Sequence, residues 1–170
     1  MNKSAQTVAK EQASEPFTWS DAYSVGVPEV DADHMVLVEL IGMIDGAASG
    51  EESQMVVSTV LNALYDYTDY HFEREERMQR AIGYPDHKEH KQGHDRLKEQ
   101  VMAYLRRYQE DPAQVDIGEL ATFLRCWIVE HILREDAQYR PYAENNPKAS
   151  EAMKSIGLDF FMEKTEDLPA

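Results

Sequence analysis

Four stretches with helical spacing of apolar residues, short polar connections between them and no alternating strand pattern predict an all-α protein. The expected architecture is an antiparallel up-down-up-down four-helix bundle with an extended N-terminal lead-in and a C-terminal tail. The length of 170 residues fits one domain. A chain of this size buries enough surface to fold without a disulfide or a metal.

Residues 1–16 are polar and free of aromatics up to Pro16, and form a flexible leader in this reading. The domain proper is expected over 17–144. FTWSDAYSVGVPEVDAD has no helical period and is taken as an extended lead-in. The first helix runs from about Asp33 to Ala48, with Leu37, Val38, Ile41 and Ile44 on one stripe and Asp31 or Asp33 as N-cap. The second starts near Ser53. It carries Val57, Leu61, Leu64, Thr68, His71, Glu75, Met78 and Ile82 at alternating spacings, the seam of a helix packed against neighbours. Gly83-Tyr84-Pro85 breaks it. Asp86 followed by Glu89 suggests a capping box opening the third helix, whose stripe is His90, His94, Leu97, Val101, Leu105 and Tyr108. Asp116 and Glu119 repeat the pattern for the fourth, with Ile117, Leu120, Leu124, Trp127 and His131 inward and an end near Pro141. The tail, 145–170, offers a short amphipathic helix at Met153, Ile156 and Phe160, expected to dock on its own bundle rather than to serve as a partner-binding peptide.

A formal charge of −15 opposes binding to nucleic acid or anionic lipid. One cysteine cannot form an internal disulfide or a cysteine-rich zinc site. Cys126 is expected to be a buried, inert thiol. With no apolar run of membrane-spanning length and no secretory signal, the chain is expected to be soluble, cytoplasmic and monomeric.

Five of the six histidines fall on the inward stripes or at the start of the first helix: His34, His71, His90, His94 and His131. Each buried neutral imidazole needs partners for both ring nitrogens, and a shared metal supplies one of them. His71 with Glu75, and His90 with His94, are spaced i,i+4 and project from one helix face. Nitrogen and carboxylate donors without thiolate suit iron, manganese, copper or zinc. Glu75 inside a bundle also asks for a cation. On the fourth helix the spacing leaves two choices. Glu135, at i+4 from His131, shares its face on an ideal helix, whereas Asp136, at i+5, points inward only if a π-type turn intervenes. His87 lies outside the pattern, at the start of the third helix.

Trp19 and Gly26, D-x-x-H at Asp31–His34, HFxxE at His71–Glu75, HxxxH at His90–His94 and HxxxxD at His131–Asp136 together resemble the hemerythrin family, in its bacterial form, over about Trp19 to Tyr142. The resemblance implies two iron ions per chain joined by an oxo or hydroxo group. His90, His94 and His131 would bind one iron, His34 and His71 the other, and Glu75 and Asp136 both. It thereby selects Asp136 over Glu135, which is left as an exposed residue. Asp33 departs from the pattern, since relatives commonly carry glutamine before this first histidine. Counting ligands under this assignment closes the three-histidine iron and leaves one position open on the other.

Such a centre implies reversible O2 binding, for an oxygen carrier, store or delivery protein without enzymatic activity. Phe72, Trp127, Ile128 and Ile132 would line the ligand pocket, a role compatible with ordinary core packing. The alternatives are an O2 or redox sensor acting through a partner protein, and a diiron oxidase or peroxidase. Bundle oxidases typically use four carboxylates with paired Glu-x-x-His motifs, a pattern not repeated on these helices. An O2-using protein is a further possible partner.

Overall fold

Proline tolerates the first turn of a helix because its φ is already helical and the missing N–H would be unpaired there in any case. The first helix, α1 (Pro28–Ala48), accordingly begins at Pro28 rather than at Asp33. In this computed structural model, which describes residues 17–48 and 54–154, three more long helices follow. They are α2 (Gln54–Ala81), α3 (His87–Glu110) and α4 (Ile117–Glu130). A π turn, His131–Asp136, continues α4 into α5 (Ala137–Ala143), and α6 (Pro147–Lys154) closes the described chain. No strand occurs among the described residues. The leader, the loop before α2, and Ile156 and Phe160 lie outside them.

The earlier start changes the roles of two aspartates. Asp31 accepts hydrogen bonds from the Ser24 hydroxyl at 2.6 Å and the Val25 N–H at 2.8 Å, clasping the lead-in to α1 instead of capping the helix. Asp33 lies inside the helix and is buried. The lead-in is not wholly extended, because Asp21–Tyr23 forms a 3-10 turn. It swings into α1 at Gly26, whose φ of 79° favours glycine. A Cβ there would also lie 3.2 Å from Glu144 Cγ.

α2 ends in a Schellman motif. Gly83 has φ 71°, and the Gly83 and Tyr84 N–H groups bond back to the carbonyls of Arg80 and Gln79. Asp86 occupies the N-cap position of α3 but makes no side-chain cap, so the expected capping box is not formed. Asp116 does cap α4, accepting from the Glu119 N–H at 3.0 Å. The fourth helical stretch ends at Ala143, close to the expected Pro141, which sits within the final turn of α5.

α1 packs beside both α2 and α4, and α2 beside α3. Leu37, Ile41, Ile44, Leu61, Leu64, Leu120 and Leu124 are fully buried along the shared axis. Each such side chain contributes about 1.5–3 kcal/mol on burial. That driving force holds the bundle while its other end is given over to polar groups. The expected inert thiol is not buried. Leu120, Leu124 and Ile128 form the inward i,i+4 row of α4, which turns Cys126 outward to solvent. α6 packs on α2 and α1, burying Ala149, Ala152 and Met153, so the docked helix starts earlier than the Met153–Phe160 stripe suggested. No described helix is long and apolar enough to cross a membrane.

Candidate metal centre

The histidines singled out in the sequence lie at one end of the bundle because antiparallel helices bring the start of α1, the end of α2, the start of α3 and the end of α4 together. His34, His71, His90, His94 and His131 are all buried there with Glu75 and Asp136. Their donor atoms form two groups. One is Glu75, His90, His94, His131 and Asp136; the other is His34, His71 and Glu75.

The carboxylates sit between the groups. Glu75 Oε1 lies 2.7 Å from His90 Nε2 and 3.6 Å from His94 Nε2, while its Oε2 lies 3.2 Å from His71 Nε2 and 3.9 Å from His34 Nε2. Asp136 repeats the division. Its Oδ1 is 3.1 Å from His131 Nε2 and 3.3 Å from His90 Nε2, and its Oδ2 is 3.2 Å from His34 Nε2. Each carboxylate therefore gives one oxygen to the three-histidine side and the other to the two-histidine side.

The π turn brings Asp136 inward. One extra residue in the turn absorbs the mismatch between i+5 and the helical period, so His131 and Asp136 share a face. Glu135 is displaced outward but stays in use. Its Oε2 lies 3.2 Å from His131 Nδ1, in space left by Gly93, where a Cβ would approach that oxygen to 2.6 Å. The expectation of a merely exposed Glu135 is corrected by this contact.

Two more imidazoles follow the same rule. His71 Nδ1 faces Asp33 Oδ2 at 3.3 Å, and His94 Nδ1 faces Glu76 Oε1 at 3.1 Å. A carboxylate only accepts, so each Nδ1 carries the hydrogen and each Nε2 of the neutral ring presents a lone pair inward. Those lone pairs point at carboxylate oxygens or at one another; His94 and His131 Nε2 lie 3.2 Å apart. Both His34 ring nitrogens, His71 Nε2, His90 Nε2, Glu75 Oε2 and both Asp136 oxygens have no hydrogen-bond partner although they are buried. Buried acceptors facing acceptors are costly unless a cation lies between them. The residues present thus fit metal ions bound by nitrogen and oxygen.

Without metal, protons fill that role. Burial alone would lower the histidine pKa values, but the charges of Asp136 and Glu75 override it at His131, pushed up to about 10, and at His90, pushed up to about 9. His71 also rises to about 9, against its burial, through Asp33 and Glu75. His94 falls to about 4 because burial prevails. Burial likewise opposes ionisation of Glu75 and Asp136, yet the surrounding imidazoles hold both below the usual carboxylate range.

Around the centre, the Phe72 ring stacks on His94 at 3.7 Å between centroids, and Trp127 stacks on His131 at 5.6 Å. Ile128 and Ile132 are buried, while Trp127 is partly exposed. A polar recess of about 170 Å³, lined by Tyr84, Asp86, Glu89, Arg96, Glu135 and Gln138, reaches the edge of His90. His87 stays apart from the cluster, with Nδ1 3.0 Å from the Tyr84 carbonyl.

Sequence reasoning missed Glu76, Gln79 and Arg74. Gln79 donates to Glu75 Oε1 at 2.9 Å and is fully buried, and its i,i+4 spacing from Glu75 was a usable signal. Glu76 and Arg74 act across helices, where one helix's periodicity carries no information.

Fold and donor set together define a helical-bundle protein with a histidine–carboxylate metal centre. Residues 25–143 match the model of the hemerythrin HHE cation binding domain, and the chain belongs to the hemerythrin family. It is 34% identical to a bacteriohemerythrin of Pseudomonas paraeruginosa over 124 residues, 72% of this chain and 78% of the relative. It is 31% identical to the bacteriohemerythrin of Methylococcus capsulatus, with 74% of this chain and 95% of that one covered. A crystal structure of wild-type hemerythrin superposes with a TM-score of 0.69 at 27% identity, over 75% of this chain and 97% of its own.

Proposed function

We propose that this chain holds a pair of non-haem iron ions and binds O2 reversibly there, as an oxygen carrier, store or delivery protein. The observation that carries the reading is the division of the Glu75 and Asp136 oxygens between a three-histidine and a two-histidine group. His90, His94 and His131 would hold one iron, and His34 and His71 the other. Glu75 and Asp136 would serve both beside an oxo or hydroxo group. When bound, the iron pair supplies the electrons and the Lewis-acid position that take up O2.

The protein's own residues do the remaining work. Asp33, Glu76 and Glu135 fix the tautomers of His71, His94 and His131, so each Nε2 is preset as a donor. Phe72, Trp127, Ile128 and Ile132 supply an apolar wall that limits water entry and escape of charged products, which favours release of the ligand unchanged. Five imidazoles with two carboxylates bring less negative charge than a four-carboxylate bundle site, which supports binding rather than turnover.

Metal analysis of the purified chain tests the first half of the proposal, with two irons per chain expected as for a two-metal site. Anaerobic reduction followed by O2 exposure tests the second, with a charge-transfer band expected to appear and to vanish on deoxygenation. Zinc alone, or one iron per chain, would remove the assignment. Irreversible oxidation with release of peroxide would replace the carrier with an oxidase.

A further inference from the structure

α6, the last described helix, is linked to the metal centre through the side chain of Arg74. Arg74, buried on α2, donates from Nε to the Met153 carbonyl at the end of α6 at 3.0 Å. Its Nη1 donates to both Asp33 oxygens, at 2.6 and 2.7 Å. Asp33 Oδ2 faces His71 Nδ1, and its Oδ1 accepts from the Tyr67 hydroxyl at 3.0 Å. The guanidinium also lies over the Tyr70 ring, 4.8 Å from its centroid. At its other side α6 is pinned to α1, where Ser150 donates to Glu29 at 2.6 Å and Lys154 pairs with it at 3.2 Å.

Asp33 bonded to His71 alone would be a buried anion balanced only by that imidazole, and would draw the Nδ1 proton strongly. Arg74 shares the charge and fixes the carboxylate in the orientation that meets His71. The guanidinium is in turn oriented by a carbonyl that is present only while α6 is docked. We propose that Arg74 is a positioning residue that couples docking of α6 to the orientation and donor strength of His71. The helix is therefore part of the metal site's support. The iron-binding arm below rests on the functional reading above; the coupling itself does not.

The test uses the full chain with Arg74→Gln, Arg74→Lys and Ser150→Ala. Ser150→Ala loosens α6 while leaving Arg74 and the cluster untouched. In iron-free protein, amide exchange over 147–154 reports docking, and the His71 Nδ1 nitrogen resonance reports the imidazole. Arg74→Gln is expected to speed exchange and move that resonance together at unchanged helicity, with Arg74→Lys partly restoring both. Ser150→Ala is expected to move the two in the same direction, to a smaller extent. In iron-loaded protein, release to a chelator should be about 10-fold faster in Arg74→Gln, the lower end for loss of an outer-shell partner. Faster exchange of α6 with an unmoved His71 resonance, in either Arg74→Gln or Ser150→Ala, would reduce Arg74 to a tether. A moved resonance with unchanged exchange would sever the link to the helix. If Arg74→Gln does not fold, Arg74→Lys and Ser150→Ala carry the same comparison. Failure of the wild-type chain to bind iron would overturn the functional reading and leave the iron-free result standing.

Discussion

Glu135 shows how one residue's role turns on a contact across helices. Its oxygen reaches His131 Nδ1 only because residue 93 is glycine. Glu135→Gln should therefore weaken iron binding about 10-fold, the effect expected on losing a carboxylate behind a metal-binding imidazole. Gly93→Ala should act in the same direction, because the new methyl would displace that carboxylate. Chelator competition measures both, and wild-type affinity in the two variants would show the contact to be idle. The same assay separates the histidines. His94→Ala should lose iron, whereas His87→Ala should keep it, since His87 bonds a backbone carbonyl away from the cluster. Equal loss would show that the wrong histidines have been assigned to the centre.

At the scale of the element, the π turn is the feature that decides the fourth helix. It behaves as a one-residue insertion, and its outward positions Leu133 and Arg134 are exposed. Deleting Arg134 should restore unbroken α-helix while keeping Asp136 on the face of His131, now at i+4. Iron-free protein carrying the deletion should melt no lower than the parent, because a less favourable turn has been removed. Its iron affinity should fall, because Glu135 rotates around the helix axis from its place beside Gly93, where its carboxylate now meets His131 Nδ1. Circular-dichroism melting and chelator competition test the two parts; a large drop in Tm would mean that the turn is locally stabilising.

For the whole molecule, the buried imidazoles and carboxylates at one end of the bundle are balanced by protons in the metal-free protein, and a metal would have to displace those protons. Iron binds the folded arrangement and should raise its stability by mass action, by about 2.7 kcal/mol at 100 times Kd. Calorimetry of loaded and stripped protein should show a higher Tm for the loaded form at neutral pH. Identical melting would mean that the cluster is not the iron site.

Periodicity along single helices was enough to place the long helices, the apolar stripes and five histidines on inward faces. Those features are local, since the 3.6-residue repeat puts i, i+3 and i+4 on one side whatever lies opposite. Helix starts were harder to see, because the stripe of α1 begins at Leu37 while its backbone is already helical at Pro28. Spacing also left Glu135 and Asp136 open. Resemblance chose between them, and the fold supplies the physical reason, an inserted turn that one-dimensional spacing cannot reveal.

What the sequence determined by itself was therefore the bundle and the inventory of donors. What only the tertiary structure decided was which oxygen faces which nitrogen. It also set which carboxylates stand behind His71, His94 and His131, and that α6 is linked to the centre through Arg74. Except for Glu135 and His131, which are i,i+4 neighbours, those pairings join residues far apart in the chain, and they exist only once the hydrophobic stripes have fixed the helices side by side.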